Sequence, residues 1–168
     1  GKVAFITGVA RGQGRAHAVR LASEGADIVG IDICENIDSM NYPLSSEADL
    51  AETVKLVEQQ GRKMIGVKGD VRSREQLASA IDRGMKELGR LDIVVANAGI
   101  IAGKADTYMA SGFVEVSDID LIGAMNTVAA SLPHLKEGAS IIITGSTAGM
   151  MKGMTENVGV ATGGAAYG

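Results

Sequence analysis

Thr7-Gly8-Val9-Ala10-Arg11-Gly12-Gln13-Gly14 sets three glycines within eight residues, directly after the apolar run Val3–Ile6. Between a strand and a helix, glycines at this spacing permit a tight turn and let backbone N–H groups approach a pyrophosphate. Asp32 stands 18 residues beyond Gly14 and closes a second apolar run, with Ile33 beside it. A carboxylate in that place can accept the ribose hydroxyls of an adenosine and repels a 2′-phosphate, which favours NAD over NADP. Arg11 argues the other way, because a guanidinium in the loop can pair with a 2′-phosphate as readily as with a diphosphate oxygen. Asp32 carries the greater weight. Holding an anion against a ribose carboxylate costs desolvation energy, whereas Arg11 has the pyrophosphate or a nearby acid as an alternative partner.

These groups need elements to position them, and the pattern supplies them in alternation. Val3–Ile6 is a strand, and Ala16–Ser23 a helix that stops at Gly25. Ala26–Ile31 is a second strand ending at Asp32. Ser46-Glu47-Ala48-Asp49 has the form of a capping box, and Leu50, Val54 and Val57 follow at helical spacing as far as Gly61. Met64–Lys68 reads as a third strand, and Leu77, Ile81, Met85 and Leu88 mark a helix that stops at Gly89. Leu91–Ala96 is apolar throughout except at Asp92, as in a strand covered on both faces. Ile122, Met125, Ala129 and Leu132 stripe another helix ending near Pro133, before a fifth strand over Ser140–Thr144. Five strands alternating with helices predict a doubly wound parallel α/β sheet, the Rossmann fold, in one dinucleotide-binding domain over residues 1–168. Such sheets commonly carry a sixth strand, so the C-terminal part of the fold is expected to be absent after the fifth strand.

Composition narrows the function class. A formal charge of −4 without a clustered Lys/Arg run gives no footprint for nucleic acid, and no apolar stretch is long enough to span a bilayer. Cys34 is the only cysteine, which excludes an intrachain disulfide and fits a reducing cytoplasm. His17 and His134 lack a second ligand at metal spacing, so no metal site is expected.

The TGxxxGxG pattern at Thr7–Gly14, Asp70-Val71 after the third strand and Asn97-Ala98-Gly99 after the fourth together resemble the short-chain dehydrogenase/reductase family. That resemblance implies an oxidoreductase acting on CH–OH groups. It implies that Asp70 and Val71 contact adenine and that Asn97, Ala98 and Gly99 steady the central strand beside the cofactor. It also makes Ser146 the substrate-positioning serine and Tyr167 the proton donor or acceptor of a YxxxK motif. A free tyrosine with a pKa near 10 is a poor base at neutral pH, and an adjacent cation is the usual remedy. The position four residues after Tyr167 lies beyond Gly168. The stretch Glu35–Ser46, with Asn41-Tyr42-Pro43-Leu44, and the run Gly89–Val94 further resemble a subgroup that includes mycofactocin-linked carveol dehydrogenases. This implies tightly held NAD and an apolar secondary alcohol as substrate. Oligomers, dimers or tetramers, are common in the family, and the resemblance places a subunit contact on the Asp118–Lys136 helix.

Two departures from the family pattern bear on mechanism. Asp120 stands where many members carry asparagine, and an ionised carboxylate accepts hydrogen bonds but donates none. It could pair with the lysine after Tyr167 or serve at a helix start. The offset of 21 residues from Ser146 to Tyr167 exceeds the roughly 12 to 14 associated with the family, and Met150, Met151 and Met154 in it could form an adaptable apolar substrate wall. Two rival readings follow: an NADP-dependent 3-oxoacyl-type reductase, from Arg11, and a dinucleotide-binding regulator that has lost turnover, from Asp120.

Overall fold

A computed structural model of the chain describes residues 1–101 and 111–146. Five strands, β1 (Val3–Thr7), β2 (Asp27–Asp32), β3 (Met64–Lys68), β4 (Leu91–Ala96) and β5 (Leu135–Ile143), form one sheet in the order β3-β2-β1-β4-β5. Every neighbouring pair is parallel, as the alternation of strands and helices predicts.

The sheet is buried on both faces at its centre. Alternate residues of β1 point opposite ways: Val3 and Phe5 enter one apolar cluster with Leu77, Ala80 and Ile81 of α3 (Arg74–Leu88), while Ala4 and Ile6 enter the other with Ala18 and Ala22 of α1 (Gly12–Ser23). Helix α2 (Glu47–Glu58) opens with the expected capping box, since Ser46 and Asp49 bond each other's backbone N–H reciprocally. Helix α3 ends on Gly89, whose φ of +79° is the left-handed cap that a Cβ would oppose.

The last helical run differs from its expected form. It comprises α4 (Ser111–Val116), a π-helical stretch Ser117–Gly123, α5 (Ala124–Ser131) and a 3-10 turn Leu132–His134 containing Pro133. The apolar stripe that marks it in the sequence is not its buried face. Met125 is 56% exposed and Ile122, Ala129 and Leu132 also face out, whereas Ile119, Asp120, Gly123, Asn126, Thr127 and Ser131 face in. Strand β5 starts at Leu135 rather than at Ser140, because Leu135 pairs with Leu91 before an irregularity resets the register at Ile93 and Ser140.

Candidate active site and dinucleotide cleft

Strand order reverses between β1 and β4, and a cleft of about 280 Å³ opens there at the carboxyl ends of the strands. The β1–α1 loop forms one wall. Gly8 takes a φ of +67°, and a Cβ on it would lie 2.8 Å from the Ala98 Cα; on Gly14 a Cβ would lie 2.0 Å from the Gly8 carbonyl oxygen. The two glycines therefore let the loop, the start of α1 and the end of β4 touch along their backbones. Arg11, the N-cap residue of α1, makes no side-chain cap, so the first-turn N–H groups keep their capacity for an anion.

The tip of this loop is locked through both peptide groups of one residue, Ala10. Ala10 N–H donates to Asp32 Oδ2 at 2.8 Å, and the Ala10 carbonyl accepts from Arg15 Nε at 3.0 Å and Thr53 Oγ1 at 2.9 Å. Asp32 itself is only 6% exposed. Its Oδ1 accepts from Cys34 N–H at 3.2 Å and from the Ser45 hydroxyl. A carboxylate offers about four acceptor sites, so the Ala10 bond leaves capacity on Oδ2. Burial and the Asp32 charge push the Cys34 thiol up to about 12, and it stays protonated and unreactive at neutral pH.

The remaining predicted groups lie around the same cleft. Gly8, Arg11, Gly12, Gln13, Asp32, Ile33, Asp70, Val71, Asn97, Ala98 and Gly99 all line it, and Gly14 is packed beneath the loop. The Asp70 carboxylate is held by Arg72 through its N–H at 2.9 Å and its Nε at 2.8 Å. Asn97 fastens three strand ends: its Nδ2 donates to the Thr7 carbonyl at 3.0 Å, its N–H donates to Thr7 Oγ1 at 3.0 Å, and its Oδ1 accepts from Thr144 Oγ1 at 3.4 Å. Asp120 is buried in the π-helical stretch, where Oδ1 accepts the Ile100 N–H at 2.9 Å and so braces the loop after β4. Ser146 follows the cleft-lining Thr144 by two residues. Tyr167, Met150, Met151 and Met154 lie outside the described residues.

Several contributing residues have roles that the sequence alone does not assign. Thr7 orders the β4 loop through two accepted N–H bonds, from Asn97 and Ala98; its signal is a polar residue closing an otherwise apolar strand. Ile37, Leu44 and Ser45 come from the Glu35–Ser46 stretch, which forms the outer wall. That stretch is tied across the cleft by Tyr42 Oη, which accepts the Ile101 N–H at 2.9 Å, and by the Ser39 hydroxyl, which donates to Glu115. Nothing in its composition announces those long-range ties.

A sequence model of the short chain dehydrogenase family matches residues 2–166. The chain is 43% identical over 155 residues to a (-)-trans-carveol dehydrogenase of Rhodococcus erythropolis, covering 89% of this chain and 56% of that protein. It is 52% identical over 154 residues to an uncharacterized oxidoreductase of Mycobacterium tuberculosis, covering 90% of this chain and 56% of that protein. A crystal structure of carveol dehydrogenase from Mycobacterium avium in complex with NAD superposes with a TM-score of 0.91 at 45% identity, covering 99% of this chain and 61% of that one. The chain thus spans a little over half the length of the relatives it matches.

Proposed function

The chain belongs to the short chain dehydrogenase family, and from that premise we propose that the whole protein moves a hydride between NAD(H) and an apolar, carveol-like secondary alcohol or its ketone. The 168 residues form its dinucleotide-binding domain. The observation that carries the reading is the buried Asp32 carboxylate on the cleft wall, fixed by Ala10, Cys34 and Ser45 and retaining acceptor capacity for a ribose hydroxyl. The glycine cradle, which a Cβ would fill, and the uncapped start of α1 fit a pyrophosphate beside it. Two neighbours support NAD and the alcohol class by what they are: the M. avium enzyme was crystallised with NAD, and the R. erythropolis enzyme is a carveol dehydrogenase.

When bound, the nicotinamide supplies or accepts the hydride. The protein's part is orientation and proton handling. Ile33, Asp70 and Val71 enclose the adenosine end, while Asn97, Ala98 and Gly99 bring the end of β4 against the glycine loop. Ser146 and Tyr167 are proposed to hydrogen-bond the substrate oxygen, with Tyr167 exchanging its proton. Asp120 is proposed to support that centre through the Ile100 N–H. The outward apolar stripe Leu121, Ile122, Met125 and Leu132 supports a homo-oligomer, dimer or tetramer. Among the described residues no helix is long and apolar enough to cross a membrane, and a cytoplasmic enzyme is the proposed setting.

Native mass spectrometry of the full-length protein as purified, followed by assay with carveol-type alcohols, tests this. Retained NAD and alcohol-dependent NADH formation are expected. Retained NADP would transfer the weight to Arg11, which also lines the cleft, and to the reductase reading. Bound NAD without turnover on an alcohol and ketone panel would favour the regulator suggested by Asp120. Turnover abolished by Tyr167→Phe would eliminate that regulator.

A further inference from the structure

We propose that Asn126, with Gly123 one turn before it, is a positioning residue for the adenosine end of the cleft, although neither lines it. The proposal rests on the dinucleotide reading above. Asn126 is 2% exposed, and an amide buried that deeply is costly unless its polar atoms are paired. Here they are paired with one turn of chain. Nδ2 donates to the Val71 carbonyl at 3.2 Å and to the Arg72 carbonyl at 3.5 Å, and Oδ1 accepts from Arg74 Nε at 2.7 Å. The turn it grips starts at Asp70, whose carbonyl accepts the Ser73 N–H at 3.0 Å, and it presents Val71 to the cleft.

Gly123 fixes the other side of the same residue. A Cβ on Gly123 would lie 2.5 Å from Val71 Cγ2 and 3.1 Å from Val71 Cβ, so the helix backbone seats the Val71 side chain directly. Val71 is thus held by its carbonyl from Asn126 and by its side chain from Gly123. An apolar residue at 126 could fill the space but could not orient the two carbonyls. A wall ordered before the ligand arrives spares the ligand the cost of ordering it. The effect is confined to the half of the dinucleotide that meets Val71.

The test uses cofactor-free full-length protein and two half-ligands, AMP and nicotinamide mononucleotide, titrated by calorimetry. Asn126→Ala and Asn126→Asp are expected to raise the AMP dissociation constant about fivefold and to leave nicotinamide mononucleotide binding unchanged. The aspartate keeps an acceptor for Arg74 but donates to neither carbonyl, so it isolates the grip on Val71. Gly123→Ala should act in the same direction. Should either substitution at 126 prevent folding, the exposed Arg74 supplies the alternative: Arg74→Met removes the donor to Oδ1 and should weaken AMP about twofold. AMP binding within experimental error of wild type in every soluble variant overturns the proposal, as does parallel weakening of both half-ligands. Wild-type protein that binds neither AMP nor NAD refutes the dinucleotide reading itself.

Discussion

Gly14→Ala should weaken NAD binding by about a hundredfold while leaving a folded protein. A Cβ there would lie 2.0 Å from the Gly8 carbonyl oxygen, 2.8 Å from its carbon and 2.9 Å from Asn97 Nδ2. Ordinary contact requires the Gly8 peptide to retreat by roughly 1 Å or more. No rotamer change relieves the two tightest contacts, since both are to backbone atoms of Gly8. Gly8 is tied as well: its N–H donates to the Ile31 carbonyl at 2.9 Å and its carbonyl accepts from Asn97 Nδ2 at 3.3 Å. The loop must therefore shift with it, away from Asn97 and out of register with the start of α1. Misplacement of about 1 Å typically costs a factor near a hundred in interactions that depend on fixed geometry, or about 2.7 kcal/mol. Overpacking itself costs about 1–3 kcal/mol of stability, which a thermal scan without ligand measures separately. Calorimetric titration of the full-length variant with NAD is the assay. A dissociation constant within threefold of wild type would show that the close approach of Gly14 to Gly8 does not shape the site.

Thr53→Val removes the hydroxyl that donates to the Ala10 carbonyl and accepts from Arg15 Nε at 2.9 Å, at nearly constant volume. It should cost about 1–2 kcal/mol, read as a fall in Tm, and an unchanged Tm would refute the lock on the loop tip. Cys34, with its pKa raised from 9.0 to about 12, should react with iodoacetamide at pH 7.5 roughly a thousandfold more slowly in the native protein than after unfolding. Because the folded pKa is the higher one, the associated stability is present below pH 9 and lost as pH rises toward 12, a loss that Cys34→Ala should remove from the pH profile. Met125→Glu, on the outward stripe, should lower the solution mass measured by light scattering; an unchanged mass would place any subunit contact elsewhere.

Strand positions were legible because central parallel strands are buried on both faces and read as continuous apolar runs. Met64–Lys68 and Leu91–Ala96 end where the sequence places their ends. The glycine loop and Asp32 were legible because turn geometry and anion chemistry restrict residue type at fixed spacing. What the sequence did not disclose are contacts made across large separations. Thr53 on α2 reaches Ala10, Tyr42 reaches Ile101 and Asn126 reaches Val71, and none of these pairs follows from local periodicity.

The run from Ser117 to Ser131 shows where a hydrophobic-inside rule inverts. Its apolar stripe is helical in period, so the helix itself is correctly marked, but periodicity does not say which side the stripe faces. Apart from Ile119, which enters the core, the inward side is small and polar, and each polar side chain makes a hydrogen bond there. Thr127 Oγ1 donates to the Gly123 carbonyl and Ser131 Oγ to the Thr127 carbonyl, both at 2.7 Å; Asn126 binds the turn after β3, and Asp120 accepts the Ile100 N–H. With those groups paired, the cost of burying them is offset, and the absence of bulk lets the helix backbone close on Val71. The other large apolar residues, Leu121, Ile122, Met125 and Leu132, are thereby left on the outer surface of the described residues, where a further packed surface would remove them from water. On the two proposals above, one helix supplies both the support for the adenosine end of the cleft and the face offered to a partner. Its inward polar residues are the condition for the second role as much as for the first.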